Sequence, residues 1–209
     1  MISSNNKVII VGAFHEIIEL AEKCNKTILG IIDNDKQDGF LGYRILGNDE
    51  KVYDLFKRYG NVPLVLSPDA PAKRSFLYKL YSSAGFDFTS LIHPGASLSK
   101  LVKIGNGVVI QNFVNISSES VIGNFAKINT FVNVMHNVKV GNFVTLAPNT
   151  VLLGYVTVSN ECYIGSNSTI LPGIKIKRNS FVGAGSVVTK NVDSKTIVYG
   201  NPAKRKVEK

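Results

Sequence analysis

The chain carries three histidines, His15, His93 and His136, and two cysteines, Cys24 and Cys162. A neutral imidazole accepts a proton near neutral pH, so each histidine is a candidate base for activating an amine or a hydroxyl. The three are not spaced as a zinc triad, the arrangement a metal-dependent hydration enzyme would need, and no metal site is expected. The cysteines lie far apart with no partner motif and read as free thiols in a reducing compartment. Which histidine can do chemistry depends on the element that carries it.

His136 lies inside a repeat. From Ile92 through Leu98, Ile104 and Ile110 to Val188, every sixth residue is Ile, Leu or Val. A second track at the same period holds small or branched residues, among them Val102, Val108, Ser120, Ala126, Cys162 and Ile174. A six-residue period fits neither the helical 3.6 nor the alternation of an ordinary sheet, so the stretch reads as a parallel β-helix in which three hexads close one coil. Residues 18 apart then stack, at the roughly 4.8 Å spacing of neighbouring strands. Gly105, Gly123 and Gly141 follow that spacing, as do Phe113 with Phe131 and Phe125 with Phe143.

The stacking rule places side chains. Val134 points inward, so His136 falls at an outward or corner position. Glu119 stacks one coil before Asn137, and Gly154 one coil beyond His136. The residues alone leave His136 as either a surface histidine or a base.

Before the repeat, Lys7 to Val11, Thr27 to Ile32 and Val62 to Leu66 are apolar runs, Tyr43 to Leu46 continues the alternation, and Phe86 to Ile92 reads as a last strand. Glu16 to Cys24, Lys51 to Tyr59 and Pro71 to Ala84 have helical spacing between them. This alternation predicts a small parallel sheet with flanking helices. Ligands of such sheets collect at the carboxyl ends of strands. Here those ends are Gly12, Ala13 and His15, then Asp33 and Asn34, then Ser67. The turn Gly12-Ala13-Phe14-His15 lacks the G-x-G-x-x-G fingerprint, which argues against a nicotinamide cofactor and leaves a structural turn equally open. The expected division is an α/β unit over residues 1–90 and a β-helix with its tail over 91–209.

The net charge is +9 over 209 residues, but the Lys and Arg residues are dispersed except at Lys204, Arg205 and Lys206. No nucleic-acid partner is therefore expected, since small polyanionic ligands account for the balance as well. No segment approaches the length of a membrane span and no leader pattern opens the chain, so the expectation is a cytoplasmic protein without membrane insertion.

Three stretches carry a resemblance: Asn129 to Phe143 (N-T-F-V-N-V-M-H-N-V-K-V-G-N-F), the junction His93-Pro94, and the closing Tyr199 to Lys204 (Y-G-N-P-A-K). Together with the hexads and the α/β unit, they resemble the bacterial sugar acyltransferases of the left-handed β-helix class. That group includes bacillosamine and perosamine N-acetyltransferases and sialic acid O-acetyltransferases. The resemblance implies a left-handed coil, a homotrimer, acetyl-CoA as co-substrate in a groove between adjacent β-helices, and a nucleotide-linked amino sugar held by the N-terminal unit.

It also implies site residues. His136 becomes the base, and the Gly154 N–H the donor to the oxyanion. The family's acidic residue after the histidine is Asn137 here, so either Glu119 or the Asn137 carbonyl holds the ring. A second histidine of some relatives is Thr145 here. Ala147, Gly165, Ser166, Gly183 and Ala184 line the expected path of the pantetheine arm, or are plain coil positions. Lys204 and Arg205 meet the CoA phosphates, or form an untethered basic tail. Transfer to an amine is the leading expectation, transfer to a sugar hydroxyl the alternative, and a non-catalytic scaffold a third reading that Asn137 keeps open.

Overall fold

The structure, a computed structural model, describes residues 6–206. Strands β1 (Lys7–Val11), β2 (Thr27–Ile32), β3 (Ile45–Gly47) and β4 (Leu64–Leu66) form a parallel sheet in the order β3-β2-β1-β4. Side chains alternate along β1 and serve two cores, as the pleat requires. Val8 and Ile10 pack with Ile17, Ile18 and Leu20 of helix α1 (His15–Lys23). Ile9 and Val11 pack with Val52 and Leu55 of α2 (Val52–Tyr59) and with Leu77 and Tyr81 of α3 (Pro71–Ser83). Helices cover both faces, which is why β1 and β2 carry no polar side chain after their exposed first residues, Lys7 and Thr27.

The stretch from Phe86 to Ile92 departs from expectation. Only Phe88 bridges to the sheet, at Leu64, while Leu91–Ile92 pairs with Val109–Ile110 as the first strand of the coil. The hydrogen bonds change partners within three residues: Thr89 N–H donates to Leu64 O at 3.0 Å, and Leu91 N–H to Val108 O at 2.9 Å. One stretch therefore welds the two units together.

The rest is a left-handed parallel β-helix of three sheets, built from two-residue strands and four-residue corners. Strand partners are 18 residues apart, as in Val121 with Lys139, Asn133 with Val151, and Thr145 with Tyr163. Both hexad tracks are buried inside the prism. Polar members of the second track are satisfied there: the Ser120 hydroxyl donates to Met135 O at 2.8 Å and that of Ser168 to Gly183 O at 2.9 Å. From Gly107 to Gly185 one residue per corner takes a left-handed backbone, with φ of 57° at Asn137, 59° at Glu119 and 62° at Tyr155. A bond to the coil before offsets that strain, such as Asn137 N–H to Ser118 O at 3.0 Å.

The spacing slips at the end. Phe181 pairs with Ile197 and Val182 with Val198, and Lys204–Arg205 folds back antiparallel on Val198 and Tyr199. The coil thus runs past Val188, where the six-residue walk ends, to Tyr199. Lys204 and Arg205 are exposed but tied by this hairpin, so they are not an untethered tail.

Arg74 of α3 anchors the α/β unit to the coil. It is 1% exposed, and its guanidinium donates to the carbonyls of Pro68, Asp69, Phe125, Phe143 and Val144 at 2.7 to 3.1 Å. Burial holds its pKa down at about 10. Lys127, also buried, projects from the coil to Ser67 O at 2.7 Å and Asp69 Oδ1 at 2.8 Å. Burial lowers its pKa, opposed by the Asp69 charge. Arg74→Ala leaves five carbonyls without their donor and is expected to cost about 3–5 kcal/mol of stability, measured by urea unfolding. A loss under about 1 kcal/mol would show that water replaces the guanidinium there.

Candidate active site

His136 sits at a corner of the coil, in residues 135–138 between the strands Asn133–Val134 and Lys139–Val140. Its Nδ1 lies 3.0 Å from Asn137 Oδ1, and Asn137 Nδ2 donates to Glu119 Oε2 at 2.5 Å. The ring does not point straight out. It leans along the coil axis over Gly154, where a Cβ would stand 2.8 Å from Cε1 and Nε2. The edge of Tyr155 closes the arrangement, with ring centroids 5.2 Å apart at 88°.

Gly154 thus has a packing reason to be glycine, and its N–H donates to no acceptor among the described residues. A ring nitrogen over a glycine whose N–H has no acceptor among the described residues is an arrangement acyl transfer can use: one group to take a proton, another to hold developing negative charge. Tyr155 was not singled out from the sequence. The 18-residue rule would have found it directly beneath Asn137.

The cysteines are not alternatives as nucleophiles. Burial pushes the Cys162 thiol up to about 11 and raises that of Cys24, which keeps both in the thiol form. Among the described residues no group of three or more His, Cys, Asp or Glu side chains is placed to hold a metal.

Ala147, Gly165 and Gly183 form a column, but at the next corner, across the face that contains Asn133–Val134 and Val151–Leu152. Within one chain they do not meet His136. A Cβ at Gly165 would stand 2.5 Å from Ala184 N and 2.7 Å from Val182 O, and one at Gly183 would stand 2.8 Å from Tyr199 Cβ. Stacking of the next coil therefore accounts for both glycines. Ser166 is half-buried and Ala184 exposed beside them. Lys204 and Arg205 line a cleft of about 360 Å³ at the end of the solenoid, with Lys190, Asp193 and Val198. Thr145 is buried and donates to Asp69 O at 2.6 Å, a contact between the two units.

The strand ends of the α/β unit do come together. Gly12, Asp33 and Asn34 line a cleft of about 190 Å³ with Asp49, Pro68 and Lys73. Burial alone would raise the Asp33 carboxyl, but the N–H groups of Ala13, Asp35 and Lys36, at 2.7 to 2.9 Å, hold it below the usual carboxylate range. Asp33 is thus engaged in fixing its own turn. Asn34 exchanges two hydrogen bonds with Asp49, whose other oxygen accepts from the Tyr81 hydroxyl at 2.7 Å. Gly12, at φ 95°, leaves no room for a side chain against Ser67 Oγ. The Ser67 hydroxyl is spent on the carbonyls of Val11 and Gly12. His15 lies outside the cleft lining, edge-on to Phe40 at 4.7 Å.

Coil and corner together define a hexapeptide-repeat transferase. The family model described as bacterial transferase hexapeptide (six repeats) matches residues 119–154 and 155–190. A search of curated proteins finds no match. Among solved structures, a histidine-to-alanine mutant of GDP-perosamine N-acetyl transferase from Caulobacter crescentus, in complex with CoA and GDP-perosamine, is 30% identical. That match covers 97% of each chain at a TM-score of 0.92. The acetyltransferase domain of PglB from Neisseria gonorrhoeae, in complex with acetyl coenzyme A, is 25% identical over 96% of this chain and 99% of that one, at 0.87. WeeI from Acinetobacter baumannii, 24% identical over 95% and 98%, shares the fold at 0.84. The chain belongs to the bacterial sugar acyltransferases of the left-handed β-helix class, and it is an acyltransferase.

Proposed function

We propose that this enzyme transfers the acetyl group of acetyl-CoA to the amine of a nucleotide-linked amino sugar, by direct attack in a ternary complex. The carrying observation is the His136 corner, where a ring nitrogen lies over Gly154, whose N–H has no acceptor among the described residues. His136 Nε2 takes the amine proton as the C–N bond forms, and the Gly154 N–H donates to the oxyanion. Collapse of that intermediate expels the thiolate of CoA. The perosamine enzyme matched over 97% of this chain supports the acceptor class, and two of its matched structures are histidine mutants.

In this reading residues 1–90 hold the acceptor in the cleft lined by Gly12, Asp33 and Asn34, with Ala13, His15 and Ser67 on the turns next to it, and residues 91–209 carry out the transfer. The co-substrate lies along Ala147, Gly165, Ser166, Gly183 and Ala184, with its phosphates toward Lys204. A homotrimer is part of the proposal. His136 is exposed, and the small-residue column stands at the far edge of the same face. A neighbouring chain supplies the missing wall. Phe113 and Phe131, stacked at 4.9 Å and both more than half exposed beside that column, give such a neighbour an apolar surface. The corresponding place in the cell is the cytoplasm, in synthesis of precursors for surface glycans.

The test is thiol release from acetyl-CoA against UDP-, dTDP- and GDP-linked 4-amino sugars, with sialic acid as a hydroxyl acceptor. Turnover of one amino sugar is expected. Turnover of the hydroxyl acceptor alone would overturn the assignment.

A further inference from the structure

Glu119 accepts a hydrogen bond from Asn137 and does not touch His136. Its effect on the imidazole passes through an amide, and an amide has two ends. A carboxylate only accepts, so the amide end that faces Glu119 at 2.5 Å must be the NH₂. The other end, the carbonyl oxygen, is then fixed toward His136 Nδ1 at 3.0 Å. A carbonyl oxygen also only accepts, so Nδ1 must carry the hydrogen. The neutral ring is left with its lone pair on Nε2, the nitrogen over Gly154.

The backbone reinforces this order. Glu119 and Asn137 both occupy left-handed corner positions one coil apart, with φ of 59° and 57°, so their side chains leave the coil in parallel. Asn137 N–H is spent on Ser118 O, and Val138 N–H meets the Ser120 hydroxyl at 3.2 Å, which fixes the corner itself. Only the amide is free to rotate, and Glu119 stops it.

We infer that Glu119 is a positioning residue that, by locking the Asn137 amide, sets the tautomer in which His136 Nε2 is the base. A direct carboxylate partner would orient the ring and place full charge beside it. This relay orients the ring and keeps the charge one residue away. The inference deepens the proposed reaction, but its first test does not depend on that reaction.

The test uses the full chain with ¹⁵N-labelled histidine, at about pH 8.5, where imidazoles are ordinarily neutral. Only three histidine signals occur, and His136→Ala assigns one of them. The wild-type His136 ring is expected to show Nδ1 protonated and Nε2 bare. In Glu119→Gln the new amide presents either end to Asn137, so the signal moves toward a mixture of tautomers. Turnover of the amino-sugar acceptor falls about tenfold in kcat with KM within about twofold. The double variant Glu119→Gln/Asn137→Asp, with a carboxylate against Nδ1 and an amide donating to it, restores the single tautomer and most of kcat.

A wild-type ring protonated at Nε2, or a Glu119→Gln variant with an unchanged tautomer, overturns the inference. Should no amino sugar turn over while the tautomer shift appears, the relay stands and the substrate assignment fails.

Discussion

Replacing His136 by alanine lowers kcat/KM for acetyl transfer by about 10²–10⁴-fold, or about 3–5 kcal/mol of transition-state stabilisation, the range of a positioned general base. The loss is expected on kcat, because in the proposed reaction Nε2 takes the amine proton and does not hold the acceptor. Stability is expected to be unchanged, since the side chain is exposed and, among the described residues, hydrogen-bonds only to the neighbouring Asn137. His93 serves as a control, since its ring accepts the Gly95 N–H at 2.9 Å and has no part in the proposed reaction, so alanine there leaves kcat within about twofold. A His136→Ala enzyme that keeps more than about a tenth of wild-type kcat/KM shows that the base is elsewhere.

Gly154→Ala is expected to lower kcat by about 10²-fold without unfolding the protein. The added Cβ would stand 2.8 Å from Cε1 and Nε2 of His136, and its nearest neighbours belong to that side chain. A side chain can rotate away where backbone cannot. The imidazole is thus displaced from its 3.0 Å contact with Asn137 Oδ1, and the new methyl crowds the N–H meant for the oxyanion. Gly154 does not have a positive φ, so alanine fits its backbone. Gly165 makes the contrast clear, because there the clash is with the backbone of Ala184 and Val182. Initial rates and urea midpoints of Gly154→Ala check both parts. Full activity would place the oxyanion donor at another residue, and a fall in stability with activity per folded molecule unchanged would make Gly154 purely structural.

Much of this arrangement was legible because a β-helix turns sequence distance into contact. Burial on three repeating faces demands Ile, Leu or Val at fixed spacing, and the 18-residue register then put Glu119 beside Asn137 and His136 beside Gly154. Two things escaped that register. The first is where a corner side chain points: the lean of His136 over the next coil, and the edge of Tyr155 against it, are set by rotamers and not by spacing. The second is everything that joins the two units. Arg74 is one basic residue in a helix, and nothing local announces that five carbonyls from two elements converge on it.

The ends of the repeat were harder for similar reasons. Phe86 to Ile92 (F-D-F-T-S-L-I) reads as one continuous strand, so its division between two hydrogen-bonding partners is invisible in composition. At the other end Ser194 stands where a sixth-residue walk from Val188 expects an apolar residue, and the coil closes instead through a step shortened by two, from Phe181 to Ile197. In the α/β unit, residue type could not show that Asp33 and Ser67 also fix the turns beside the cleft, through hydrogen bonds to neighbouring backbone.

The most direct measurement is the identity of the product. Wild-type enzyme and His136→Ala are incubated with acetyl-CoA and a GDP-linked 4-amino sugar, and the products are resolved by mass and by NMR. One added acetyl group on the sugar nitrogen, formed by the wild type and lost in the variant, is the predicted result. An acetyl group on oxygen, or the same N-acetyl product formed equally fast without His136, would contradict it.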